Sequence, residues 1–130
     1  MTTSHAPQSH FSFIKWLLLL MLISALLLAT YLYLVLHWSY SDGERAGYLQ
    51  KFSRKGWLCK TYEGEMAMTT VPGVAPVLWT FTVHDEALAK RLSVMIGQRV
   101  SLTYGEHRGI PTTCFGDTSY FVNQVQILER

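Results

Sequence analysis

Charge is what the first part of this chain lacks: no Asp, Glu, Lys or Arg stands between Lys15 and Asp42. An amphipathic surface helix needs a polar face, so this gap excludes one there. It also accounts for a charged fraction of only 15%, against a usual ~25%. Cysteine is scarce as well. Cys59 and Cys114 are the only two, and with no C-x-x-C spacing they exclude the paired ligands of a zinc ribbon. No internal repeat and no low-complexity linker is present. From Asp42 onward all nine acidic residues meet ten of the eleven basic ones, so the overall +2 points to no polyanionic partner. Only the local cluster Arg45, Lys51, Arg54, Lys55 and Lys60 is a candidate for one.

What fills the uncharged gap is mostly leucine. Trp16 to Leu36 is broken by only Ser24 and Thr30 among small polar groups, and a bilayer core of ~30 Å needs about 20 helical residues. A cleaved signal has a shorter apolar run followed by a small-residue cleavage site. Here the run continues into TYLYLVLHWSY with no A-x-A after it. Lys15 and Trp16 at one end, and Tyr31, Tyr33, Trp38 and Tyr40 at the other, stand where interfacial anchors belong. The expectation is one uncleaved transmembrane helix over 16–36. It is preceded by a short disordered segment over 1–15, carrying His5 and His10 without the rigid surroundings a metal needs. A juxtamembrane linker over 37–42 and a folded domain over 43–130 follow.

The domain of about 88 residues reads as short strands. Arg45 to Ser53 mixes Tyr48, Leu49 and Phe52 with polar residues, as a half-buried first strand does. Arg54-Lys55-Gly56 supplies a turn, and Leu58 to Thr69 a second strand with a bulge or bend at Gly64. VPGVAP, Val71 to Pro76, cannot continue a ladder. Val77 to His84 then alternates, with Val77, Trp79, Phe81 and Val83 on one face and Thr80, Thr82 and His84 on the other. From Asp85, a fair N-cap, the period changes: Leu88, Leu92, Met95 and Ile96 form one helical stripe that Gly97 ends. Val100, Leu102 and Tyr104 mark a fourth strand. A long Gly/Pro loop over 106–118 leads to a fifth, Tyr120 to Leu128, irregular near Asn123-Gln124. The order β-β-β-α-β-β is that of an OB-like five-stranded barrel, with an SH3-like barrel as nearest rival.

Cys59 opens the second strand directly after the first hairpin, and Cys114 ends the loop between the fourth and fifth strands; in such a barrel those two loops share a pole, so a disulfide is expected in an oxidising compartment. Two reduced or unrelated thiols are the alternatives. Sidedness is contested. Counting Lys and Arg favours a cytoplasmic domain, since Arg45, Lys51, Arg54 and Lys55 outnumber Lys15. The short N-terminal segment before a Leu-rich helix, and the cysteine pair, favour a signal anchor of the bacterial inner membrane with a periplasmic domain. The latter is the expectation.

Tyr40 to Met68, YSDGERAGYLQKFSRKGWLCKTYEGEMAM, and Gly109 to Val122, GIPTTCFGDTSYFV, resemble a family of small bacterial membrane-anchored proteins of unknown function. The similarity covers the end of the apolar helix and nearly all the remaining chain. The resemblance implies no activity. Some members carry an automatic label of 6-phosphogluconate dehydrogenase, which this sequence contradicts. No G-x-G-x-x-G opens a helix after a strand, and the domain is too short for a dinucleotide fold plus a catalytic one.

Chemistry has thin support. Cys114 or Cys59 as nucleophile, His107 as base and Asp117 as orienter is the best catalytic set on offer, and its spacing matches no motif. Zinc on both cysteines plus His84 or His107 is weaker. Glu63 and Glu65 share one strand face and read as a solvated edge, and Asp117 as a turn-former. The run Lys51 to Tyr62, KFSRKGWLCKTY, interleaves four basic residues with three aromatics, as a single-strand nucleic-acid groove does. It equally suits a hairpin. The expected binding surface is therefore Arg45, Lys51, Phe52, Arg54, Lys55, Trp57 and Lys60. The reading is a non-catalytic module without cofactor or metal, integral to the membrane and facing a protein partner or anionic lipid. The alternative is a cytoplasm-facing module that binds nucleic acid.

Overall fold

The computed structural model describes residues 9–68 and 71–128, so His5, and Thr69 at the expected end of the second strand, lie outside the described residues. The chain divides into two compact units, 1–34 and 35–130.

In the first unit a single helix begins. It is α1, Ser9–His37, and its last turn belongs to the second unit. It is long and apolar enough to cross a membrane. Ser9 to Lys15, expected to be disordered, is helical. Within that segment the Lys15 ammonium lies 4.6 Å from the Phe11 ring centroid, four residues back. Ser24 and Thr30 return their hydroxyls to the carbonyls of Met21 and Leu26, which satisfies both without water.

The second unit holds a five-stranded mainly-β domain. Its strands are β1 (Ser41–Lys55), β2 (Thr61–Ala67), β3 (Leu78–Val83), β4 (Arg99–Glu106) and β5 (Tyr120–Ile127). Helix α2 (Glu86–Ser93) joins β3 to β4, and a short 3-10 turn, Thr113–Phe115, precedes β5. Spatial order departs from chain order, running β1-β2-β3-β5-β4 and returning to β1. The sheet closes because β3 pairs with β5 in parallel while β1 is long enough to serve both β4 and β2.

β1 departs most from expectation. It starts at Ser41, so the linker shrinks to Trp38–Tyr40, and it runs through Arg54 and Lys55, which are strand residues and not a turn. The bulge falls at Gln50, where the register slips between Leu49 and Lys51, and not at Gly64. Gly64 serves another purpose. A Cβ there would meet Cζ of Phe81 at 2.2 Å, so the glycine is where the ring of a fully buried phenylalanine lies against the sheet. β2 opens at Thr61, leaving Leu58 and Cys59 in the loop before it. The irregularity of β5 does fall at Asn123, which is skipped between Val122 and Gln124 as they pair with Tyr104 and Thr103.

Leu49, Met66, Trp79, Phe81, Val83, Val100, Leu102, Val122 and Val125 fill the inside, and Leu88, Ala89, Leu92 and Met95 cover one end. Asp85 caps α2 by accepting from the Ala87 amide at 3.0 Å. Two expected core positions face water instead. Val77 precedes β3, and Ile96 lies past the end of α2, where the helical stripe no longer applies. Thr82, expected on the polar face, is fully buried because a loop lies over that face.

Candidate functional site

Gly56 to Lys60 forms a tight connection between β1 and β2. Gly56 has φ 139°, and a Cβ there would meet the Cys59 carbonyl oxygen at 1.7 Å, so only glycine fits. Cys59 is bonded to Cys114 in the 3-10 turn, with Cα atoms 4.9 Å apart at a sequence separation of 55. Of the alternatives left open by the sequence, the disulfide is the one realised.

A second tie reinforces the same junction. Lys55 Nζ lies 2.8 Å from Asp117 Oδ2, and the hydrogen bond to Asp117 holds the ammonium's pKa above its ordinary 10.5. Beneath it, the buried Glu63 carboxylate accepts from Thr61 Oγ1 at 2.7 Å, Thr82 Oγ1 at 2.8 Å and the Asp117 amide at 3.0 Å. Three donors make that carboxylate tolerable out of water. Glu63 is therefore a pin for the loop before β5 and not part of a solvated edge. Its neighbour Glu65 on the same face is half-exposed and paired with Lys51 at 3.7 Å.

The expected basic surface comes apart on this geometry. Lys51 and Lys55 face outward onto Glu65 and Asp117. Arg54 lies 5.6 Å from the Tyr62 ring centroid, and Tyr62 in turn stacks on the partly buried Phe52. Arg45, paired across the ladder with the buried Leu102, projects to the inside. Its guanidinium stands 5.0 Å from the Trp79 ring and 5.5 Å from those of Tyr104 and Tyr120. Two of the cations are thus carboxylate-paired and two are held on rings, so they make no continuous polyanion-binding stripe.

Trp57 and Leu58 are the opposite case. Both are fully exposed, at 101% and 99%, on the stapled loop, with Lys60 beside them. A cavity of about 470 Å³ lined by Trp57, Leu58, Thr113 and both cysteines opens at their base.

The catalytic set considered from sequence does not assemble. Both sulfurs are consumed in the disulfide, Asp117 is engaged by Lys55, and His107 donates from Nδ1 to the Val35 carbonyl at 3.0 Å. His84 donates to the carbonyl of Phe115, and its ring meets Phe121 edge-on at 4.3 Å; His107 stacks on the same ring at 4.6 Å. Among the described residues no three of His, Cys, Asp and Glu converge as metal ligands. Trp79 Nε1 is the one buried side-chain nitrogen or oxygen among the described residues without a hydrogen-bond partner. Of the expected membrane anchors, Tyr40 belongs to the domain, with the Arg108 guanidinium 3.7 Å from its ring centroid. Trp16, Tyr31, Tyr33, Trp38 and Tyr40 are all exposed.

Sequence reasoning missed Leu58 as a surface residue, because it stands at the head of what reads as a strand. Gly56 directly before Trp57 was the available signal, since a glycine that closes a tight loop leaves its neighbours outside. Comparison of the chain with family models and with curated proteins gives no match.

Proposed function

We propose that this is a single-pass protein of the bacterial inner membrane that holds an OB-like barrel in the periplasm as a non-catalytic binding or accessory module. The disulfide carries the reading. A Cys59–Cys114 bridge persists in an oxidising compartment and is rare in the cytosol, so it favours the periplasmic side over the cytoplasmic alternative. It also rigidifies the pole that OB folds use for ligands, where the β1–β2 loop meets the loop before β5. The architecture is supported by the closed order β1-β2-β3-β5-β4 and by the helix between β3 and β4. The bridged sulfurs and the engaged Asp117 and His107 favour binding over nucleophilic chemistry. The resemblance to small membrane-anchored proteins points the same way.

The test is a pair of C-terminal fusions. Alkaline phosphatase is expected to be active and green fluorescent protein dark; the reverse pattern would place the domain in the cytoplasm and remove the reading. Crosslinking in intact membranes from a photoreactive residue at position 58 then reports whether the pole touches protein or lipid.

A further inference from the structure

We infer that the Trp57–Leu58 tip is a second membrane contact, wedged into the interface of the bilayer that α1 crosses. This rests on reading α1 as a membrane span. Moving a large apolar side chain out of water is favourable, and this loop holds two of them fully in water. They cannot collapse onto the domain, because Cys59 is fixed to Cys114 and Gly56 closes tightly on the Cys59 carbonyl. Such a pair is built to be covered by something else.

The occupant follows from where the tip lies within its own unit. Cys114 neighbours Phe115, whose carbonyl binds His84; the rings of His84 and His107 both contact that of Phe121; and His107 holds the carbonyl of Val35 in the last turn of α1. His84 lines both the groove beside the tip, with Lys60 and Cys114, and the groove beside Leu36 and His37. The tip and the point where the apolar helix ends therefore share one side of the domain, and the nearest apolar phase to both is lipid. The composition fits that phase. Tryptophan places an apolar body and a polar N–H at the headgroup boundary, and Lys60 beside it reaches the phosphates. Because α1 already holds the domain at the surface, the tip binds at high effective concentration and needs little affinity of its own.

The full-length protein in liposomes of phosphatidylethanolamine and phosphatidylglycerol tests this, with lipid chains brominated near the headgroup in one set and unlabelled in the other. Trp57 emission is the difference between the wild type and Trp57→Phe, a change at a fully exposed position that leaves the fold intact. The expected result is a blue-shifted Trp57 component that loses most of its intensity in brominated lipid and resists aqueous acrylamide. Leu58→Asp is expected to reverse both. A Trp57 component quenched by acrylamide alone would overturn the inference, as would a blue-shifted one that bromine does not touch, which means a protein surface covers the tip. If the protein fails to float with the liposomes, the span reading itself fails and the wedge falls with it. If it floats with Trp57 in water, only the wedge is lost.

Discussion

Lys55 and Asp117 form an ion pair at 2.8 Å across the same two segments that Cys59 and Cys114 join covalently. A short polar tie and a sulfur bridge thus hold the β1–β2 loop against the loop before β5. The covalent tie dominates. In the chain-entropy model a loop of this length contributes about 4 kcal/mol, while an ion pair of two half-exposed groups contributes ~0.2–1 kcal/mol. The protein in detergent, titrated with denaturant before and after reduction, is expected to lose most of that larger amount. Coincident midpoints would mean the sulfur bridge holds nothing the sheet does not already hold.

The ion pair has its own pH signature. The folded state holds the Lys55 pKa above 10.5, so the pair's stabilisation is fully present below about that pH. It fades as pH rises through the elevated value and the ammonium loses its proton. Lys55→Gln is therefore expected to lower the unfolding midpoint at pH 8 and to lose its effect on the alkaline side of 10.5. An equal effect at both ends would assign the change to packing.

Glu63 makes a contrasting prediction, because its carboxylate is buried and triply bonded. Glu63→Ala takes the acceptor from Thr61 Oγ1 and the Asp117 amide and leaves Thr82 Oγ1 only Thr118 Oγ1 at 2.9 Å, at about 1–3 kcal/mol for each buried group left unsatisfied. Amide exchange at Asp117 and Thr118 should accelerate far more than exchange within β4. Uniform acceleration would mean the residue supports the whole sheet and not the loop.

Much of this fold was open to sequence reasoning, and the exceptions share a cause. β4 alternates, β3 alternates up to the point where the loop covers Thr82, and α2 keeps its stripe through Leu92, because each lies over most of its length between one wet and one dry face. β1 does not alternate. Its inward positions are Gly43, Arg45 and Gly47, since Tyr104 crowds the first and the Ala67 carbonyl the last, so the apolar signal begins only at Leu49. The site shows the same limit. The cysteine pairing follows from topology. The basic cluster misled because its acids, Glu65 and Asp117, come from a neighbouring strand and a remote loop that no local window contains.

Gly64 tests the close approach on β2. Gly64→Ala puts a methyl 2.2 Å from Phe81, an overlap the ring must leave. Overpacking of that kind costs about 1–3 kcal/mol. Combining it with Phe81→Leu is expected to cost less than the two single changes together, since the smaller side chain vacates the contested space. Additive losses would show that the methyl strains the backbone and not the ring.

Arg45 is the residue whose side chain departs most from its surroundings: a cation aimed inward, with three aromatic rings around it and no carboxylate in ion-pair range among the described residues. Two effects oppose each other there. Partial burial disfavours the charge, while contact with ring faces returns ~0.5–1 kcal/mol for each well-placed ring. The long stem and planar head also fill space over Trp79, Tyr104 and Tyr120. Arg45→Met keeps most of that volume and removes both electrostatic effects, so it is expected to change stability by under about 1 kcal/mol, the range of volume-conserving exchange. Arg45→Ala uncovers the three rings and should cost more. Arg45→Glu should cost most, because it turns a carboxylate toward the negative faces of all three. Denaturant midpoints of the three variants in one detergent read the order directly. If methionine and alanine cost the same, the arginine side chain covers nothing, and its place inside the sheet is set by the backbone alone.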